Sequence, residues 1–182
     1  MSLVPKKVFF VSGKGYHKTK LSAFEQALRD AGIEKYNLVR VSSILPPNCI
    51  EIQKEDGLIQ LHPGQIIYCV IARAESNENN SIIAASIGIA KPSDKNQYGY
   101  LSEYHDFGIK PEKVAIKAEE LATEMLATTL GVPFDPDLNY DEKKTVFKMG
   151  GKIVETKNIT AYAKVREDDE WACAIAAAVF II

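Results

Sequence analysis

Little in this chain could staple a small protein together. Its 182 residues include three cysteines, Cys49, Cys69 and Cys173, an odd number, widely spaced and set among apolar neighbours. No C-x-x-C pair occurs, which argues against a disulfide framework, a zinc site or a redox motif. The thiols read as reduced core or near-core groups of a cytoplasmic protein. His17, His62 and His105 lie far apart, without the paired spacing of metal ligands. An excess of one charge is missing too. The 22 Lys+Arg and 24 Asp+Glu leave a net charge of −2, with a pI near 6.0, so nothing attracts nucleic acid or an anionic membrane. Long apolar runs are also lacking. Val8 to Val11, behind Lys6 and Lys7, is too short for a secretory segment. Trp171 to Ile182 is too short to span a bilayer and reads as a buried strand. The expectation is a soluble, cytoplasmic protein without metal, nucleic acid or membrane as partner.

What is present suits one domain. Apolar residues make up 46% and charged residues 25%, and the length can bury a core unaided. A strand at Val8 to Val11 stops at Ser12-Gly13. A helix follows from Leu21, with Leu21, Phe24, Ala27, Leu28 and Ala31 on one face and Gly32 as its stop. Asn37 to Ser43 reads as a short strand ended by Pro46-Pro47, and 65–73, 81–91 and 98–103 read as further strands. Pro111 opens a second helix striped by Val114, Ala118, Leu121 and Met125 and closed near Leu130 by Gly131. After a Pro/Asp-rich loop, 144–148 and 152–156 read as a hairpin turning at Gly150-Gly151. Strands at 159–165 and 171–182 finish the chain, with Glu167 to Glu170 as a solvated turn between them. Two helices and about nine strands, in a strand, helix, strand, strand pattern that occurs twice, give an α+β protein of packed sheets and outer helices, with a weak internal duplication.

Gly13-Lys14-Gly15 after a strand lacks the G-x-x-x-x-G-K-[ST] spacing of a phosphate loop, and reads as a strand-to-helix connection. Asn37-Leu38-Val39-Arg40-Val41-Ser42-Ser43-Ile44-Leu45-Pro46-Pro47 is different. By composition it is a turn, yet it resembles the self-cleavage site of the pyruvoyl-dependent arginine decarboxylases. Leu21 to Leu28, Gly99-Tyr100-Leu101-Ser102-Glu103-Tyr104 and the alanine-rich Cys173 to Phe180 agree in order and spacing. The likeness covers nearly the whole chain.

The resemblance implies that Ser43 attacks the carbonyl of Ser42 and turns the peptide bond into an ester. Elimination then leaves 1–42 as a β chain and 43–182 as an α chain capped by a pyruvoyl group made from Ser43, with no external cofactor and no metal. The ketone so formed, like a pyridoxal aldehyde, condenses with the α-amine of L-arginine and draws electrons as carbon dioxide leaves, giving agmatine, a polyamine precursor. Pro46-Pro47 would help fix the bend at the cut through their locked φ angles. The family implies Glu103 as proton donor, in a setting where Tyr100, Leu101 and Tyr104 would bury it and raise its pKa. It implies Asn37 as an uncharged hydrogen-bonding group beside the pyruvoyl. Glu25 stands where the family carries an acidic residue, an aspartate in one member, as the carboxylate for the substrate guanidinium. Leu21 would wall the substrate's methylene stem.

The fold implied is a four-layer α/β/β/α sandwich with mostly antiparallel sheets and two main helices. The assembly implied is a trimer whose sites are shared between neighbouring subunits. Taken alone, Glu25 also reads as an exposed helix residue or a capping-box partner of Ser22. Three alternatives stay open: the same chemistry on another amino acid such as histidine, a non-processing ligand-binding relative, and nucleotide binding through Gly13 to Gly15.

Overall fold

Long strands, those at Ile82–Pro92 and Trp171–Ile181 buried almost throughout, build two sheets, seen in a computed structural model that describes residues 3–133, 137–138, 140–166 and 170–182, with backbone alone for 146–149. In chain order the elements are β1 (Lys7–His17), α1 (Lys20–Ala31), β2 (Asn37–Arg40), β3 (Ile44–Leu45), β4 (Ile50–Glu51), α2 (Lys54–Leu58) and β5 (Ile66–Ser76). Then come β6 (Ile82–Pro92), β7 (Gly99–Phe107), α3 (Pro111–Thr129), α4 (Tyr140–Met149), β8 (Ile153–Lys164) and β9 (Trp171–Ile181). One sheet runs β2-β5-β9-β1-β4 and the other β3-β7-β6-β8. Among the described residues only β1 with β4 and β2 with β5 pair in parallel; the other pairings are antiparallel.

The sheets stack through small side chains. Ala172, Ala174, Ala176 and Ala178 of β9 join Ile83, Ala85, Ile87 and Ile89 of β6 in one buried cluster. Each fully buried isoleucine contributes about 1.5–3 kcal/mol. On the outer face of the first sheet, Ala23, Ala27 and Ala31 of α1 pack with Phe9, Val11, Cys173 and Ile175. On the outer face of the second, Ala122, Leu126 and Ala127 of α3 pack with Ala90 and Ile153. The order is helix, sheet, sheet, helix, the four-layer α+β sandwich that the resemblance implied.

Glycine lets both helices approach closely. A Cβ on Gly13 would lie 2.3 Å from the Ala27 carbonyl oxygen, and one on Gly15 would lie 2.2 Å from that of Ala23. Gly13-Lys14-Gly15 is therefore not a connection. β1 runs on through it to His17 because the glycines form the floor under α1. Gly88 plays the same part under α3, where a Cβ would meet the Ala118 carbonyl oxygen at 2.0 Å. That same oxygen accepts a hydrogen bond from Ser102 Oγ.

Several sequence expectations shift. α1 is capped by Thr19, whose Oγ1 accepts from Ser22 N at 3.3 Å, so Ser22 with Glu25 makes no capping box. Its buried stripe is Ala23, Ala27 and Ala31, and Leu21 stands 76% exposed. In α3 the stripe turns toward Ala122 and Leu126, leaving Leu121 and Met125 half-buried. Residues 144–148 form part of helix α4, not a strand, although threonine and valine favour strands there. Tertiary ion pairs decide against that propensity. Lys143 Nζ reaches Glu120 and Glu124 of α3 at 2.9 and 2.8 Å, and Lys144 Nζ reaches Glu119 at 2.6 Å. The two expected strands around 152–165 are one strand, β8, paired along β6. Asn158 does not break it, because its amide donates to Glu119 Oε2 at 3.1 Å. Of the expected acidic turn, residues 167–169 lie outside the described residues.

Gly88→Ala forces a methyl group into a backbone oxygen that cannot swing aside. The expected loss is about 3 kcal/mol, the upper end of overpacking costs, or about 6–12 °C in melting midpoint for a chain of this size; an unchanged melting curve would show that α3 can lift off β6. Burial pushes the Cys69 thiol up to about 11 and the Cys173 thiol up to about 12. Iodoacetamide near neutral pH should leave both unlabelled in the folded protein and label all three cysteines in urea, which peptide mapping reads directly.

Candidate active site

The chain changes sheets at the two serines. β2 lies beside β5, with Arg40 opposite Cys69, and Val41 N still donates to Cys69 O at 3.0 Å. Three residues later β3 begins against β7 in the other sheet, with Ile44 opposite Tyr100. Ser42 and Ser43 are the link between layers. Ile44 N donates to Ser42 O at 2.9 Å, closing a tight three-residue turn around Ser43, and Leu101 N donates to Ser43 O at 2.8 Å. The bend thus stands on backbone hydrogen bonds at the serines themselves, just ahead of Pro46-Pro47. Ser42 is exposed and Ser43 is half-buried.

Ser43 is held as a nucleophile would be. Its Oγ donates to Glu103 Oε2 at 2.8 Å. The other oxygen, Oε1, accepts from Arg40 Nη2 at 2.8 Å and from Arg40 Nε at 3.3 Å. Glu103 lies on β7, opposite Ile87 of β6, and its side chain is 18% exposed. Its polar neighbours are Ser43, the residue whose pyruvoyl product the resemblance had it serve, and Arg40, which the sequence did not anticipate. Leu101 on the same strand is buried in the inter-sheet core, while the Tyr104 hydroxyl turns to Asp106 Oδ2 at 2.8 Å. A hydroxyl on a carboxylate, beside a carbonyl whose oxygen already accepts a backbone N–H, is the arrangement an attack of Ser43 Oγ on Ser42 needs.

The structure brings Ser42, Ser43 and Glu103 together. The other sequence candidates sit apart from them within one chain. Asn37 starts the edge strand β2, three residues or roughly 10 Å of strand before Arg40; its Nδ2 donates to Gly64 O at 2.7 Å. Glu25 lies on α1 and pairs with Arg29 one turn on. It borders a hollow with Lys14, Tyr16 and Asp30. Leu21 projects from the same helix into solvent. Arg40, bonded to Glu103, is the charged neighbour of this site that sequence reasoning passed over. Its signal was a lone cation in the run Leu38-Val39-Arg40-Val41, two residues before the serines.

An apolar cavity of about 470 Å³ borders Ser42, walled by Leu3, Val4, Ile44, Pro46, Tyr68 and Phe180. Among the described residues no group of three or more His, Cys, Asp and Glu side chains is placed to hold a metal ion, and no helix is long and apolar enough to cross a membrane.

Known proteins match this sequence along nearly its full length. The family described as pyruvoyl-dependent arginine decarboxylase (PvlArgDC) matches residues 7–182. A probable pyruvoyl-dependent arginine decarboxylase of Chlorobaculum tepidum is 54% identical over 181 residues, covering 100% of this chain and 99% of its own length. The pyruvoyl-dependent arginine decarboxylase of Methanococcoides burtonii is 50% identical over 180 residues, covering 99% of this chain and 100% of its own. Pyruvoyl-dependent arginine decarboxylase 2 of Methanosarcina mazei is 47% identical over 179 residues, 98% of each chain. With its serine-bearing crossover set between two stacked sheets and relatives matched end to end, the chain belongs to the pyruvoyl-dependent arginine decarboxylase family.

Proposed function

We propose that this chain cuts itself between Ser42 and Ser43 and then decarboxylates L-arginine to agmatine and carbon dioxide. The observation that carries the reading is the 2.8 Å hydrogen bond from Ser43 Oγ to Glu103 at the crossover. Glu103 takes the hydroxyl proton as Oγ bonds to the Ser42 carbonyl carbon. Negative charge then gathers on Ser42 O, where Ile44 N–H already donates. The Ser42–Ser43 C–N bond breaks and the freed nitrogen takes the proton, leaving an ester. Loss of the Ser43 Cα proton expels Ser42 as a carboxylate and leaves dehydroalanine, which water converts to the pyruvoyl group with release of ammonia. The products are 1–42 and 43–182.

Once formed, the pyruvoyl ketone is the electron sink for loss of carbon dioxide. The chain's own residues supply the rest. Glu103, beside residue 43, is the group that delivers a proton to the substrate α-carbon. The cavity beside Ser42 lines one side of the site with apolar surface. Glu25 is the carboxylate for the guanidinium. In the single chain it pairs with Arg29, so substrate must displace or share that partner. Since Glu25, Leu21 and Asn37 sit apart from Ser43, the reading includes a homo-oligomer, a trimer by family resemblance. In it these residues complete the site of a neighbouring subunit. We place the enzyme in the cytoplasm, in keeping with its unpaired cysteines.

Intact mass spectrometry of the denatured protein tests the cut. Two fragments are expected, the larger beginning with a pyruvoyl mass, and Ser43→Ala should stay one chain. A wild-type protein that remains whole after long incubation would reject the reading. In matured enzyme, Glu103→Gln should lower kcat by about 10²–10⁴-fold, the range of a positioned acid. Glu25→Gln should raise KM for arginine about tenfold or more by removing a charge-assisted pair, with cleavage unaffected; an unchanged KM would remove Glu25 from substrate recognition.

A further inference from the structure

Self-cleavage must end by expelling Ser42 as a carboxylate, and one side of the place where that charge appears is apolar. Eight of the ten residues that line the cavity of about 470 Å³ beside Ser42 have hydrocarbon side chains. The other two, Ser42 itself and Tyr68, carry hydroxyls. A charge forming against such a wall is costly unless a donor meets it. We propose that the Tyr68 hydroxyl is that donor. It hydrogen-bonds the carboxylate that leaves as the Ser42 ester is eliminated, and so speeds the second half of the cut. The inference rests on self-cleavage at Ser42/Ser43.

Strand β5 sets Tyr68 beside the residues that end at Ser42. In the parallel pairing of β2 with β5, Val39 lies opposite Tyr68 and Arg40 opposite Cys69, and Val41 N donates to Cys69 O at 3.0 Å. Ser42 is the next residue. Ile67 and Cys69 face the layer of α1, so Tyr68 between them faces inward, where it packs with Val41 against the inter-sheet cluster. Among the described residues its hydroxyl bonds to no other group. A donor for the expelled carboxylate must also stay with the severed end. Ile44 N, which holds Ser42 O before the cut, goes with β3 and β7 once the peptide between them is broken. Tyr68 stays, because β2 remains zipped to β5.

In the elimination the Cα–H bond of Ser43 breaks and its proton passes to water. The electron pair forms the Cα=Cβ bond of dehydroalanine. The Cβ–Oγ bond breaks in turn, and its pair stays on Oγ, now an oxygen of the Ser42 carboxylate. A phenol O–H aimed at that group bonds more strongly as the charge grows, so it favours the transition state over the ester. Other donors belong to the same neighbourhood. Arg40 lies two residues before Ser42, where its guanidinium is bonded to Glu103. The proposed oligomer adds the partner subunit's Asn37, whose amide is a donor. It also adds the partner's Glu25 and the partner's Leu21, a carboxyl group and a hydrocarbon. Of these groups, Tyr68 is the one that shares a cavity wall with Ser42 in the chain itself.

Tyr68→Phe removes the donor and keeps the ring, so the melting midpoint should stay within about 2 °C of wild type. Cleavage is followed by intact mass, with parallel samples treated with hydroxylamine. That reagent cuts an ester, leaving a hydroxamate on Ser42 and a 43–182 fragment that begins with an intact serine. Y68F should mature about 10–10²-fold more slowly than wild type, the scale of one hydrogen bond to a charged group. Hydroxylamine should cut a larger share of its unmatured protein, because the ester forms at its usual rate and waits. Arg40→Met and Asn37→Ala, run alongside, should build up no such ester. Y68F maturing at the wild-type rate would show that water or another donor suffices and overturn the inference. Slow maturation without extra ester would place Tyr68 in the first step and overturn it too. Ester accumulating in R40M or N37A and not in Y68F would give the role to that other donor. Wild-type protein that never cleaves would reject the self-cleavage reading, and the inference with it.

Discussion

Everything near the serines depends on how closely four layers can lie. Helix α1 rests on backbone at Gly13 and Gly15, and α3 on backbone at Gly88. Between the sheets, β9 offers only methyl groups on its inner face, from Ala172 to Ala178, against the isoleucines of β6. Small residues in the middle of each contact and larger ones around it fill the space at crystal-like density. Were the layer between the sheets thicker, β2 and β3 would stand further apart. The two serines between them would then have to stretch, and the three-residue turn that places Ile44 N on Ser42 O would open.

Within that frame the electrostatics are modest in energy and decisive in position. The Arg40–Glu103 pair joins a largely exposed guanidinium to a half-buried carboxylate, a geometry that adds little to stability. Its effect is directional. By occupying Oε1 it leaves Oε2 to Ser43 alone, so the hydroxyl has one acceptor and one orientation. By contrast, the ion pairs of Glu119, Glu120 and Glu124 with Lys143 and Lys144 fasten one helix to another. Burial opposes the charge on Glu119, yet its hydrogen bonds from Lys144 and Asn158 keep its carboxyl below the ordinary range. That cluster is architecture, remote from the crossover.

The layers were legible in the sequence because periodicity records burial. Both long helices, their glycine stops at Gly32 and Gly131 and the long central strands follow from apolar spacing alone. What periodicity misses is partner-dependent. Gly13 reads as punctuation until α1 is laid upon it, and α4 reads as a strand until the acidic face of α3 is brought to Lys143 and Lys144. Leu21 reads as core, yet it stands in solvent, on the same helix as Glu25. At the site, Ser43 and Glu103 were found only through resemblance, since 60 residues separate two groups that share a hydrogen bond. Arg40 was missed because nothing about a lone strand arginine says which carboxylate faces it.

Breaking the chain at Ser42/Ser43 costs this architecture little, and the reason lies in what each fragment keeps. The segment 1–42 holds β1, which is paired with β9 along all eleven of its residues, and α1, seated on the glycines of that same strand. It also holds β2, zipped to β5. The segment 43–182 keeps its new end in place through the β3–β7 pairing and the bond from Leu101 N to Ser43 O. No hydrogen bond of either sheet runs through the severed peptide. Among the described residues, the contacts that cleavage would release are the turn between Ile44 N and Ser42 O and the bond from Ser43 Oγ to Glu103. The reactive groups thus sit at a link that neither sheet needs for its own integrity.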